Sequence, residues 1–131
     1  MILKLNCKVE TDFYNYQQIW GNKTDGTFKN FDNLLINGLR FSHKFNLKRD
    51  LNFPLTDLFK AIDEELSNNR YVLVSLVSGQ NMWHIYVISE KLDNGEYKAY
   101  SKIDEKTLVV SNVREYITNM KGTDIMVYRE E

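Results

Sequence analysis

The chain has 131 residues, 43% of them hydrophobic and 13% aromatic, which is enough for one ordinary domain with a single core and too few for two. Its 17 Lys and Arg and 18 Asp and Glu are interspersed along the chain, so neither a basic face for nucleic acid nor an acidic tail is indicated. Cys7 is the single cysteine, which excludes an internal disulfide framework and a zinc site made of thiolates, and suits a reducing compartment.

The opening MILKLNCK has too short an apolar run for a secretory signal, and Asn6 is not the small residue that a processing site prefers. No run approaches the ~20 apolar residues of a membrane span. The expectation is a soluble, cytoplasmic protein without membrane association.

In chain order, Val9, Phe13, Tyr16 or Gln17, and Trp20 fall at helical spacing and stop at Gly21-Asn22, which predicts a first helix with Cys7 at or just before its first turn. Residues Lys23 to Thr27 are polar and read as a loop. A short helical or irregular piece is expected around Phe31 to Ile36. It is followed by a turn at Asn37-Gly38 and a strand in which Leu39, Phe41 and His43 alternate with polar neighbours. After Pro54, the residues Leu55, Leu58, Phe59, Ile62 and Leu66 form one helical stripe, with Thr56 or Asp57 as cap and Asn68-Asn69 as stop.

The run Tyr71 to Ser78 is β-rich and apolar, as a central strand would be. HIYVISEKL and EYKAYSKI flank Asp93-Asn94-Gly95, and Asn-Gly between two extended runs predicts a hairpin because both residues accept positive φ. A short strand over Leu108 to Val110 follows. Ser111 can then cap a helix from Asn112 to Met120 that ends at Gly122, and Asp124 to Tyr128 makes a last strand. Helices ahead of a hairpin-rich sheet argue for α+β architecture in one domain over residues 1–131.

Two residue types could carry chemistry. A thiol is nucleophilic as thiolate, and its pKa falls at a helix N-terminus and beside an imidazolium. Cys7 has the first setting from its predicted helix; for the second the chain offers His43 and His84. His84 opens the first strand of the predicted hairpin, whereas His43 lies in RFSHKF, a segment with more loop character, so the sequence favours His84. A base histidine needs its second ring nitrogen satisfied. The returning strand offers Ser101, close to opposite, and Asp104 at its end. Taken singly, a lone cysteine is more often a small buried residue, and a strand histidine more often structural. Their order along the chain is what makes the pair a candidate.

NCKVETDFYNYQQIWGN and LLINGLRFSHKF resemble the amino-terminal domain of the butirosin-biosynthesis acyltransferase family. The part from Leu58 through Val127 resembles the sheet half of the bacterial papain-like peptidases that remove double-glycine leader peptides. The resemblance implies a papain-like α+β domain with N-terminal helices packed against an antiparallel sheet. It makes Cys7 the nucleophile and His84 the base, and it requires no cofactor and no metal. The family's third residue, Asp or Asn, falls near Ser101, with Asp104 three positions late. Lys8 stands where the family commonly has glycine, and no glutamine precedes Cys7, so Asn6 or backbone N–H groups would form the oxyanion hole.

The implied reaction is cysteine-dependent acyl transfer or peptide or amide hydrolysis, on a peptide or acyl-carrier substrate. The competing expectation is a catalytically inactive papain-like module that binds a protein partner as an inhibitor or regulator, of a phage or plasmid type. The 8 Tyr and 7 Phe suit a protein–protein surface. A nuclease built on His43 or His84 lacks a basic track.

Overall fold

The computed structural model describes residues 32–36, 38–45, 47–79, 82–103 and 106–130. The expected first helix, the loop after it, Cys7 and Asp104 lie outside the described residues. Strands β1 (Leu35–Ile36) and β2 (Leu39–Lys44) come first, then helix α1 (Leu55–Ser67). Strands β3 (Val72–Gly79), β4 (Met82–Lys91), β5 (Tyr97–Ile103) and β6 (Lys106–Val110) follow, then helix α2 (Val113–Asn119) and strand β7 (Ile125–Glu130). The strands form one sheet in the order β1-β2-β7-β3-β4-β5-β6, with every pairing antiparallel. The architecture is α+β.

Strand β3 is central because its sequence is apolar on both alternations, and residues Tyr71 to Leu76 are all buried. One face, with Val72, Val74, Leu76, Ile88, Ile125 and Val127, takes the α1 stripe of Leu58, Phe59 and Ile62 and the α2 residues Val113 and Ile117. The opposite alternation carries Leu39, Phe41, Leu73, Ile85, Val87 and Met126, each at most 1% exposed. Tyr128 lies on that face against Phe41, ring centroids 5.8 Å apart, and its hydroxyl accepts from the Tyr71 backbone N–H at 2.8 Å.

Several local expectations are corrected. Residues Leu35–Ile36 are extended, not helical, because they pair back on Leu39 and Arg40 around Gly38, whose φ of +81° lets the chain reverse tightly. Helix α1 starts at Leu55, so Thr56 and Asp57 fall inside its first turn and Pro54 occupies the cap position without a side-chain bond. The β4–β5 connection is longer than a two-residue turn. Only Gly95 has positive φ (86°), Gly95 N–H donates to Leu92 O at 2.9 Å, and Leu92 N–H donates to Glu96 O at 2.7 Å, the pattern of a turn closed by a glycine bulge.

Ser111 does not cap α2, and Asn112 at the cap position makes no side-chain bond. Instead Glu96 reaches over from the hairpin, its Oε1 accepting from Arg114 N–H at 2.7 Å and its Oε2 from Glu115 N–H at 3.0 Å. Two of the helix's orphan donors are thereby satisfied by a carboxylate distant in sequence, favourably placed at the positive end of the helix dipole.

Candidate functional site

Strands β2 and β7 pair with His43 opposite Met126 and Lys44 opposite Ile125. Side chains alternate along a strand, so the residue before Ile125, Asp124, falls on the same face as Met126 and His43. His43 Nδ1 lies 3.0 Å from Asp124 Oδ2. The aspartate side chain is fully buried and the imidazole is 18% exposed. An ionised carboxylate only accepts, so Nδ1 carries the proton, and in the neutral ring the lone pair is on Nε2. Among the described residues Nε2 makes no hydrogen bond. Asp32 joins from the start of the hairpin, its Oδ1 accepting from the His43 backbone N–H at 3.4 Å.

Beside this pair lie two more buried polar groups. Ser75 on β3 and Thr123 just ahead of Asp124 share a hydrogen bond between their hydroxyls at 3.1 Å, and the Thr123 hydroxyl donates to Ser75 O at 2.7 Å. Ser75, Thr123 and Asp124 each have 0% exposure. They make a buried polar group where β3 meets the start of β7, with the part-exposed imidazole at its end. Such an arrangement presents a proton acceptor of fixed tautomer, held from below by a carboxylate that cannot reach solvent.

The residues favoured by sequence are placed as follows. Cys7 and Asp104 lie outside the described residues. The backbone of His84 is in β4, opposite Leu76. Ser101 is buried, and its hydroxyl donates to Ile85 O at 2.8 Å, so its proton is spent on the carbonyl next to His84. His43 is on a six-residue strand, not in a loop, which overturns the reason for setting it aside. Asp124, 81 residues further on, was missed altogether. Its only signal was its place directly ahead of the apolar run IMVY, where a strand end brings a side chain to a neighbouring strand.

A second charged cluster is closed on itself. Buried Glu65 of α1 accepts from Arg70 Nε and Nη2, both at 3.2 Å, and from Arg129 Nη2 at 3.1 Å and Nη1. Burial pushes its carboxyl up, but the hydrogen bonds from Arg129 and Arg70 outweigh burial and hold it below the ordinary range. Elsewhere Asp50, Leu51, Phe53, Leu55, Thr118, Asn119 and Lys121 line an open depression of about 400 Å³, to which neither His43 nor Asp124 contributes. Among the described residues, no group of three or more His, Cys, Asp and Glu is placed to hold a metal ion, and no helix is long and apolar enough to cross a membrane.

No protein-family model, no curated protein and no solved structure matches the chain.

Proposed function

We propose that the chain performs cysteine-dependent acyl transfer, or hydrolysis of a peptide or amide, through a Cys–His dyad on a papain-like scaffold. Cys7 is the nucleophile in this reading, since it is the single thiol and stands at the start of a helix-patterned segment. The observation that carries the reading is that both histidines lie on strands of one antiparallel sheet, His43 on β2 and His84 on β4, so an imidazole is held by rigid backbone. The α+β layering, with helices on one sheet face, is compatible with it. The substrate is an acyl donor: a peptide, an amide or a carrier-bound acyl group.

The test is the rate at which iodoacetamide alkylates Cys7 in the full chain near neutral pH. An activated thiolate reacts faster than a model thiol, and Cys7→Ser abolishes both labelling and acyl transfer. Alkylation at the model-thiol rate sinks the reading.

A second reading, an inactive module of the same architecture that binds a protein partner, is favoured by Leu51, 89% exposed on the lining of the depression beside α2. It expects Leu51→Asp to abolish partner capture and Cys7→Ser to leave it intact.

A further inference from the structure

We propose that Asn94 is a site of spontaneous covalent modification, in which its carboxamide closes on the Gly95 nitrogen, loses ammonia and ends as aspartate or isoaspartate. The site lies in the β4–β5 turn and uses neither a thiol nor a histidine. Ring closure joins Asn94 Cγ to the backbone nitrogen of the next residue. It therefore needs a carboxamide folded forward along the chain, a following residue with no side chain in the way, and water. The turn supplies each.

Asn94 Oδ1 accepts from Glu96 N–H at 3.0 Å. A side-chain acceptor held by the N–H two residues on lies over the peptide unit in between, and here that unit carries the Gly95 nitrogen. The same bond draws electron density from the carboxamide carbon and makes it a better electrophile. Gly95 has a φ of +86°, and a Cβ built on it would meet nothing within 4 Å, so the attacking nitrogen is uncrowded. Asn94 and its neighbour Asp93 are exposed, which gives water and base access to the turn. One bond opposes the reaction: Gly95 N–H donates to Leu92 O at 2.9 Å and must open before the nitrogen can attack. It lies at the exposed end of a hairpin, where local opening costs little.

The atoms balance. Base removes the Gly95 N–H proton, the nitrogen bonds to Asn94 Cγ, and the carboxamide nitrogen takes up a proton and leaves as ammonia, so that a succinimide remains. Water then adds to one of the two ring carbonyls and the C–N bond at that carbon breaks. Opening at Cγ gives aspartate; opening at the main-chain carbonyl carbon gives isoaspartate.

The consequence reaches α2. Isoaspartate routes the main chain through Cβ and Cγ and so lengthens the turn that is closed by Leu92 N–H donating to Glu96 O at 2.7 Å. Glu96 is also the carboxylate that accepts from the Arg114 and Glu115 N–H groups at the start of α2. A longer turn displaces Glu96 and loosens that helix start, whereas aspartate leaves the main chain unchanged and spares it.

The experiment incubates the full chain at mildly alkaline pH, beside the same chain unfolded in urea and the variant Asn94→Ser. Peptide mapping by mass spectrometry follows the exchange of NH for O, and enzymatic methylation quantifies isoaspartate. The expected result is conversion at Asn94 in the folded chain at a rate within about tenfold of that in urea, since only local opening precedes it. Asn94→Ser removes the conversion from that peptide. Amide exchange in the aged protein should accelerate at Arg114 and Glu115 in proportion to the isoaspartate formed, and stay native in Asn94→Asp. Asn94 that stays intact in the folded chain while it converts in urea overturns the proposal. Isoaspartate without faster exchange at Arg114 and Glu115 overturns the link to α2.

Discussion

Glu96 and Arg114 meet across the hairpin and the second helix: the carboxylate Oε1 accepts from the Arg114 backbone N–H at 2.7 Å, while Oε2 accepts from Glu115 N–H at 3.0 Å. Helix α2 has only seven residues and no cap of its own, so its start depends on a residue from another element. Glu96→Ala is expected to cost about 1 to 2 kcal/mol in urea unfolding. Amide hydrogen exchange should accelerate first at Arg114 and Glu115, and an unchanged exchange rate there would refute the capping role.

Glu65 links α1 to the segment entering β3 and to β7 through Arg70 and Arg129. Glu65→Ala leaves a guanidinium of Arg70 in a part-buried position, and the expected loss is roughly 3 kcal/mol. Since the arginines hold the Glu65 carboxyl below its ordinary value of 4.5, its contribution is fully present above that pH and is lost as pH falls through the depressed value. Thermal unfolding followed downward from neutral pH should therefore show an acid limb that is flatter in Glu65→Gln than in the native protein.

Gly122 lies just beyond the end of α2 with a φ of +113°, and a Cβ built there would land in the Phe53 ring. Phe53 is itself buried against Leu58 and its neighbours in the helix-face core, so it cannot step aside freely. Gly122→Ala is expected to cost on the order of 3 kcal/mol from backbone strain and overpacking together. Adding Phe53→Ala to Gly122→Ala should remove the clash and leave the φ strain, so the two substitutions are expected to combine less than additively in denaturant unfolding.

Tyr71 and Tyr97 set an alkaline limit. Burial pushes the Tyr71 hydroxyl from the ordinary 10 to about 12, with Tyr128 and Tyr100 adding to it; that hydroxyl has no hydrogen-bond partner among the described residues. Burial likewise pushes Tyr97 up, reinforced by the hydrogen bond it donates to Asp63 Oδ1 at 2.7 Å. A raised folded value means the stabilisation is complete below pH 10 and disappears as pH climbs toward about 12. Tyrosinate absorbance should rise together with the loss of folded structure, and separate ionisation of these rings in the intact fold would contradict the assignment. Tyr71→Phe, which removes a buried hydroxyl without a partner, is expected to be neutral or stabilising by about 1 kcal/mol at neutral pH.

Much of the local structure was legible in the sequence because its signals act over a few residues. The 3.6-residue stripe from Leu55 to Leu66 became α1, the apolar run after Tyr71 became the central strand β3, and the Asn94-Gly95 signal became the β4–β5 turn. The antiparallel α+β class followed from hairpins placed after helix patterns. Where local signals were weak the reading erred. Leu35–Ile36 is only two residues long and is held extended by its partner strand, and the N-terminal caps of both helices differ from the expected residues.

What the sequence by itself determined is which segments are helical or extended and which faces of them are apolar, since both depend on near-neighbour periodicity. What only the tertiary structure decided is who stands beside whom. Strand β7, last in the chain, inserts between β2 and β3, and that one placement brings Asp124 to His43 and Arg129 to Glu65. A buried carboxylate finds its partner through the desolvation cost of remaining alone, which acts through space between residues 81 apart for Asp124 and 64 apart for Glu65. No spacing along the chain records that distance.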